Sequence, residues 1–247
     1  MKYSVVTACL NSSVTLRRTI QSVFTQTALP SEYVFVDGGS TDGTLEMIEE
    51  AKARAHSDQL DMQVKLIHQK TRGGIYGAWN LALNEVSSDL VCFLNSDDWY
   101  YPYTMAHVLE CFAGEPDAEI LLGSGLYTDG SESKNRRVLH PRPFFVLPFA
   151  TNVIHPACFV RKSVYDRLGR FEDKYKVSGD YEFIYRCRKA RVRFAETSRV
   201  LVNVQTGGYA EQNKEIARVE LAEIGHRYAT FKLLPRMAYW LRALLKK

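Results

Sequence analysis

Tyr33-Val34-Phe35-Val36 runs without interruption into Asp37-Gly38-Gly39-Ser40-Thr41-Asp42-Gly43-Thr44. A short apolar, β-branched run that stops at an aspartate- and glycine-rich turn reads as a strand buried on both faces. Leu45–Arg54, just beyond, reads as a helix. The same unit recurs on either side. Tyr3–Cys9 reads as a first strand, Asn11-Ser12-Ser13 as turn and cap, and Leu16, Ile20, Val23 and Phe24 recur at helical spacing. Val64–Ile67 reads as a third strand, Tyr76–Val86 as a helix, and Leu90–Leu94 as a fourth strand ending at Asn95-Ser96-Asp97-Asp98. Strands alternating with helices imply right-handed crossovers and an α/β fold with a mainly parallel central sheet flanked by helices.

The second half is less regular. Ile120–Tyr127 and Val200–Val204 read as strands, and Ser163–Leu168, Asp180–Ala190 and a long Glu211–Phe231 as helices. Pro141–Pro156, rich in proline and phenylalanine, reads as a loop over a cleft. With no repeat or linker, the expectation is one domain over 1–226 and a C-terminal helical appendage over 227–247.

Composition narrows the classes. The 247 residues are 46% hydrophobic and 24% charged, which fits a globular chain and excludes a largely disordered one. No apolar run reaches the roughly 18 residues of a membrane span, and the N-terminus has no signal-like stretch, so a cytoplasmic location is expected. Five scattered cysteines without a C-x-x-C pair suggest a reducing compartment rather than a disulfide framework or zinc knuckle. The net charge of +4 is unevenly spread: residues 227–247 hold six basic side chains and no acid, while 1–226 hold 26 basic and 28 acidic ones. A nucleic-acid partner is not expected, because the basic excess lies in the tail and not over the main domain.

In open α/β sheets ligands bind beyond the carboxyl ends of the strands. Two predicted strands end there in carboxylates, Asp37 and the Asp97-Asp98 pair. A single strand-end aspartate is more often a turn or cap residue, but two clusters on one edge favour a site. Adjacent carboxylates with open coordination positions suit Mg²⁺ or Mn²⁺ bridging a diphosphate. The chain lacks G-x-x-x-x-G-K-[ST], a G-x-G-x-x-G after its first strand, and G-x-S-x-G. These absences count against a P-loop NTPase, a dinucleotide dehydrogenase and an α/β-hydrolase.

Taken in order, Val5–Asn11, Val36–Thr44, Gly74–Asn80, Leu94–Asp98, His155-Pro156-Ala157, Gly169-Arg170-Phe171, Ser178–Glu182 and Gly207-Gly208-Tyr209 resemble a family 2 glycosyltransferase with the GT-A fold. The likeness covers residues 3 to about 210. It implies inverting transfer of a hexose or N-acetylhexosamine from a UDP-sugar to an acceptor hydroxyl, in bacterial surface polysaccharide or glycolipid assembly. Thr7, Ala8 and Asn11 match the loop that holds the nucleotide, and Asp37 the carboxylate that accepts the uracil imide N–H. Asp42 matches a turn-tying carboxylate, and Lys70 and Arg72 a basic donor contact. Asn95-Ser96-Asp97 matches the D-x-D triplet with Asn in first place, which leaves Asp97 as the better metal ligand beside Asp98. Asp180 matches the general base; by position alone it could equally cap a helix.

Two further residues have two readings each: Trp99 either stacks on a sugar or belongs to the core, and His155 either meets phosphate or acceptor or is structural. Glu182, two residues beyond Asp180 and facing away from it on a helix, is the weaker candidate for the base and a candidate acceptor or phosphate contact. Gly207 and Gly208 either let a loop approach the diphosphate or mark a turn. Two other classes share these features in part: a sugar-nucleotide-forming nucleotidyltransferase, which should carry a Gly- and Arg-bearing loop absent from Thr7–Ser13, and a non-catalytic nucleotide-sugar-binding module. In the tail, Met237, Trp240, Leu241, Leu244 and Leu245 follow one helical face from Pro235. Residues 235–247 thus suit an anionic membrane surface bearing a lipid-linked acceptor; alternatively the face packs on the domain or on a second subunit.

Overall fold

The computed structural model describes residues 1–70, 73–129, 136–149 and 153–229. The first 93 residues build the regular half: β1 (Tyr3–Cys9), α1 (Leu16–Phe24), β2 (Glu32–Asp37), α2 (Thr44–Ser57), β3 (Gln63–His68), α3 (Gly74–Glu85) and β4 (Leu90–Phe93). The remainder adds β5 (Trp99–Tyr100), α4 (Thr104–Gly114), β6 (Ile120–Thr128), β7 (Arg137–Leu139), β8 (Cys158–Arg161), α5 (Lys162–Leu168), α6 (Gly179–Lys189), β9 (Phe194–Gln205), α7 (Tyr209–Gln212) and α8 (Lys214–Tyr228).

The nine strands among the described residues join one sheet in the order β3-β2-β1-β4-β8-β6-β9-β5, with β7 on β6. β3, β2, β1 and β4 run parallel, β8 enters antiparallel between β4 and β6, and β6 and β9 pair in parallel. In β1, Val5 and Val6 are both fully buried yet belong to different hydrophobic clusters, as the two-residue period of a strand requires. Val5 packs with Leu16, Ile20 and Val23 of α1 and Ile48 of α2. Val6 packs with Trp79 and Leu83 of α3, Phe183 of α6 and Ile224 of α8. Each such side chain contributes roughly 1.5–3 kcal/mol by leaving water. The result is a helix–sheet–helix sandwich that holds the sheet's carboxyl edge rigid.

Several expectations need correction. Residues 104–114 were assigned no element, yet Met105, Val108 and Phe112 lie buried at helical spacing on α4. β9 begins at Phe194, well before Val200. The expected helix 211–231 is broken at Asn213, between α7 and α8, and its end beyond 229 lies outside the described residues. The 226/227 boundary cuts α8. Arg227 pairs with Glu172 and Tyr228 donates to Glu182, so the packed domain continues through them. The proline-rich stretch contains short 3-10 turns at Phe144–Val146 and His155–Ala157. Its Leu147 is buried, and the Leu147 carbonyl accepts the Tyr181 hydroxyl of α6.

Candidate active site

The loops after β1, β2 and β4 meet at the carboxyl edge and are tied together. Asn11 donates its backbone N–H to the Ser40 hydroxyl (2.9 Å), and its side-chain oxygen accepts the Thr41 N–H (2.9 Å). The Ser12 N–H donates to Thr44 Oγ1 (2.8 Å), and the Ser12 hydroxyl to that of Ser96 (2.9 Å). Asp42 accepts the Ser13 N–H (3.0 Å) and the Thr44 hydroxyl (2.6 Å). Those bonds hold its carboxyl well below the ordinary range. Gly39 and Gly43 have φ of +97° and +94°, so this turn needs residues without a Cβ at both places.

Asp37 closes β2 and is 1% exposed. Its Oδ2 accepts the N–H groups of Gly39 (2.8 Å) and Ser40 (3.0 Å), while Oδ1 is buried with no partner among the described residues. A buried carboxylate oxygen left unpaired is costly, and a donor supplied by a ligand removes that cost.

The β4 turn carries the other carboxylates. Asp98 is 1% exposed and accepts the Asn95 side-chain amide and the Gln205 N–H, both at 2.9 Å. Burial, and then the neighbouring charge of Asp97, push its carboxyl far above the usual range. Asp97 is half-buried, is raised by burial, and engages no side chain or backbone of another described residue in a hydrogen bond. Gly208 lies beside it, since a Cβ there would stand 3.4 Å from Asp97 Oδ2. The fit to a divalent ion therefore rests on Asp97. Its open carboxylate and excess negative charge suit a cation whose other ligands are phosphate oxygens and water, as is usual for Mg²⁺. Asp98 has both oxygens engaged within the fold. Among the described residues no group of three or more His, Cys, Asp or Glu forms a closed metal cage.

Asp180 lies one residue inside α6. Ser178 is the N-cap residue and makes no side-chain cap bond, so Asp180 in the first turn is the residue that satisfies a free N–H of the helix start. Its Oδ1 takes the Tyr181 N–H (2.8 Å) and lies 3.2 Å from the Tyr76 hydroxyl. Tyr127 lies near the end of β6. Burial, and then the charges of Asp98, Asp180 and Glu211, push its phenol up to about 12.

Other candidates sit elsewhere. Thr7 is fully buried within β1, its hydroxyl 3.3 Å from that of Tyr33, so its side chain faces the core and not a nucleotide; Ala8, the next residue, is half-buried. Glu182 is also fully buried, paired with Arg186 (3.0 Å) and bonded by Tyr228, so it does not face an acceptor. His155 stacks on Trp79 with ring centroids 4.5 Å apart, burial lowers its imidazole, and its Nδ1 is buried with no partner among the described residues. The aromatic packing fits a structural ring, and the open Nδ1 leaves a ligand contact available. Trp99 has the Arg18 guanidinium 3.3 Å from its ring centre. Lys70 is exposed, and Arg72 lies outside the described residues.

The sequence reading missed Arg18, which binds Gln205 Oε1 (2.9 Å) and whose positive charge acts on the Asp97 and Asp98 carboxyls. It lies on a helix face that periodicity marks only as polar. Asn95 was read as a departure from D-x-D, but here it holds Asp98 in place.

The family described as "Glycosyl transferase family 2" matches residues 4–169. A PGL/p-HBAD biosynthesis glycosyltransferase of Mycobacterium bovis is 27% identical over 191 residues, covering 75% of this chain and 69% of its own. An uncharacterized glycosyltransferase of Mycobacterium tuberculosis is 29% identical over 188 residues, with 74% and 67% covered. In fold, the chain superposes on Staphylococcus aureus TarS (TM-score 0.68, 20% identity, 97% of this chain and 69% of that one). It also superposes on a Pyrobaculum calidifontis mannosyltransferase in complex with GDP-Man and Mn²⁺ (TM-score 0.70, 21% identity, 97% and 69%). With two thirds of its length matched by that family and a GT-A sheet carrying these strand-end carboxylates, the chain belongs to glycosyltransferase family 2.

Proposed function

We propose that the enzyme transfers a hexose or N-acetylhexosamine from a UDP-sugar to an acceptor hydroxyl with inversion, in the presence of Mg²⁺ or Mn²⁺. The observation that carries this reading is at the carboxyl edge, where Asp97 keeps a carboxylate with no hydrogen bond to another described residue and Asp37 Oδ1 is buried with no partner among the described residues. Inversion needs a base on the side of the sugar away from the leaving group, and Asp180 is the proposed base.

The unpaired Asp37 Oδ1 suits the imide N–H of uracil, a donor that adenine lacks. Asn11 shapes the nucleotide loop by holding Thr41. Ser96 is held by Ser12, which sets the turn that presents Asp97. Asp97 would hold the ion, which neutralises charge on the departing diphosphate. Among the described residues no donor bonds Asp180 Oδ2, which leaves that oxygen to take the acceptor proton as the acceptor oxygen attacks the anomeric carbon.

One TarS structure is in complex with UDP-GlcNAc and the mannosyltransferase holds GDP-Man, so both donors belong in the assay. The relative named for PGL/p-HBAD biosynthesis supports a glycolipid acceptor at a membrane. The basic face of 235–247 is consistent with such an acceptor, though it lies outside the described residues. No helix among the described residues is long and apolar enough to cross a membrane.

The test is nucleotide release from UDP- and GDP-sugars with Mn²⁺ or with EDTA, for wild type and Asp180→Asn. UDP-sugar turnover that stops in EDTA and falls roughly 10²–10⁴-fold in D180N, with UDP affinity unchanged, is the expected result. Turnover of GDP-sugars alone refutes the uridine assignment. Full activity in EDTA refutes the metal.

A further inference from the structure

α8 crosses to the segment that leads into Asp180. Glu220 of α8 is 8% exposed. One carboxylate oxygen accepts the N–H of Lys176 (2.7 Å), and the other accepts those of Val177 (3.0 Å) and Ser178 (2.8 Å). Three successive N–H groups converging on one anion form a nest, here filled by the protein's own side chain. On α3, the Tyr76 hydroxyl donates to the Val177 carbonyl (2.7 Å) and forks toward Asp180 Oδ1 (3.2 Å). Gly179 touches the same ring, for a Cβ there would stand 2.9 Å from it. Residues 176–179 are thus clamped between α8 and α3, one residue before Asp180.

Burying a carboxylate is expensive unless every lone pair is used. Packing of α8 does not demand one at this place, because Leu221 and Ile224 already supply its apolar contact. We propose that Glu220 is a positioning residue: by locking the backbone of 176–178 it sets where the Asp180 carboxylate stands, and so how well it removes the acceptor proton. This rests on Asp180 being the base. A misplacement of about 1 Å costs up to 10²-fold in rate.

Glu220→Gln keeps the side chain's size but puts an amide nitrogen where N–H groups converge. Its kcat for transfer should fall at least tenfold, with the KM for UDP-sugar and the affinity for UDP within twofold of wild type. Added to D180N, it should cause no further loss, since it acts only through Asp180. If D180N alone keeps the wild-type rate, the base assignment fails and the proposal with it. If D180N is slow but E220Q retains its kcat, the positioning role alone fails. A loss shared by donor affinity, or one that multiplies with that of D180N, also overturns it. Should E220Q not fold, Glu220→Asp keeps the anion but draws it back by one methylene from the N–H groups of 176–178 and leaves Asp180 and Tyr76 untouched. The same kcat-only, non-additive loss supports the clamp, and an unchanged kcat refutes it.

Discussion

Glu32 and Asp98 are buried carboxylates at opposite ends of one sheet, and they are treated in opposite ways. Glu32 opens β2 and is 4% exposed. Burial alone would raise its carboxyl, but hydrogen bonds from Lys65 (2.6 Å), Ser4 (2.5 Å), the Ser87 N–H (3.0 Å) and Ser88 (3.0 Å) outweigh it and hold the group at about 2. Asp98, just past the carboxyl end of β4, has only the Asn95 amide and the Gln205 N–H, while Asp97 adds repulsion, so its carboxyl moves up. Asp37 at that end keeps one buried oxygen with no partner among the described residues. The amino edge completes the polar groups of Glu32 from within the chain. At the carboxyl edge Asp37 Oδ1 and the Asp97 carboxylate have no hydrogen-bond partner among the described residues, which is where the proposed donor and cation would bind.

The sharpest way to break this contrast is to remove a charge at each end. Asp97→Ala should lower transfer by 10³-fold or more, on the order of 4 kcal/mol of transition-state stabilisation, while its melting temperature stays at or above wild type. Nucleotide release and a thermal melt on one sample check both halves. A variant that is active, or that unfolds, erases the distinction between the edges.

Glu32→Gln should do the reverse. It should lose about 2–4 kcal/mol of stability in urea unfolding, with kcat of the folded fraction unchanged, because it leaves Lys65 and the serines without their shared anion. Glu32 also predicts a pH dependence. Its carboxyl lies below its ordinary value of 4.5, so its contribution is fully present above pH 4.5 and is lost as pH falls toward 2. The stability gap between wild type and E32Q should therefore shrink over that range. A constant gap would show that hydrogen-bond geometry, not charge, does the work.

The smallest expected effect is ligand stabilisation. UDP with Mn²⁺, each free at ten times its Kd, should stabilise wild type by about 1.4 kcal/mol per ligand, and Asp97→Ala should lose the Mn²⁺-dependent part. Equal shifts in both proteins would move the ion away from Asp97.

The regular half of the fold was legible because its signals are local. Apolar runs ending in Asp37 and in Asn95–Asp98, with helical spacing between them, predict strands and crossovers directly. β8 was not legible: four residues after a proline-rich stretch have no period to read, and their strand state depends on slotting between β4 and β6. The candidate site divides in the same way. Asp37, Asp97 and Asp180 stand out as carboxylates at element ends, where motif and chemistry coincide. Arg18, Tyr76, Tyr127 and Glu220 carry no such mark, and they approach the site only because α1, α3, β6 and α8 pack around it.

The sequence alone determined the α/β class and the family, and placed the candidate carboxylates at the sheet's carboxyl edge, since each follows from residue type and spacing along the chain. Only the tertiary structure decided what each polar group does. It turned Thr7 and Glu182 into the core, gave Asn95 to Asp98, left Asp37 Oδ1 with no partner among the described residues and brought Glu220 onto the segment that leads into Asp180. A carboxylate's role depends on how many donors reach it and how much water is excluded, and both are set by contacts between residues distant in the chain.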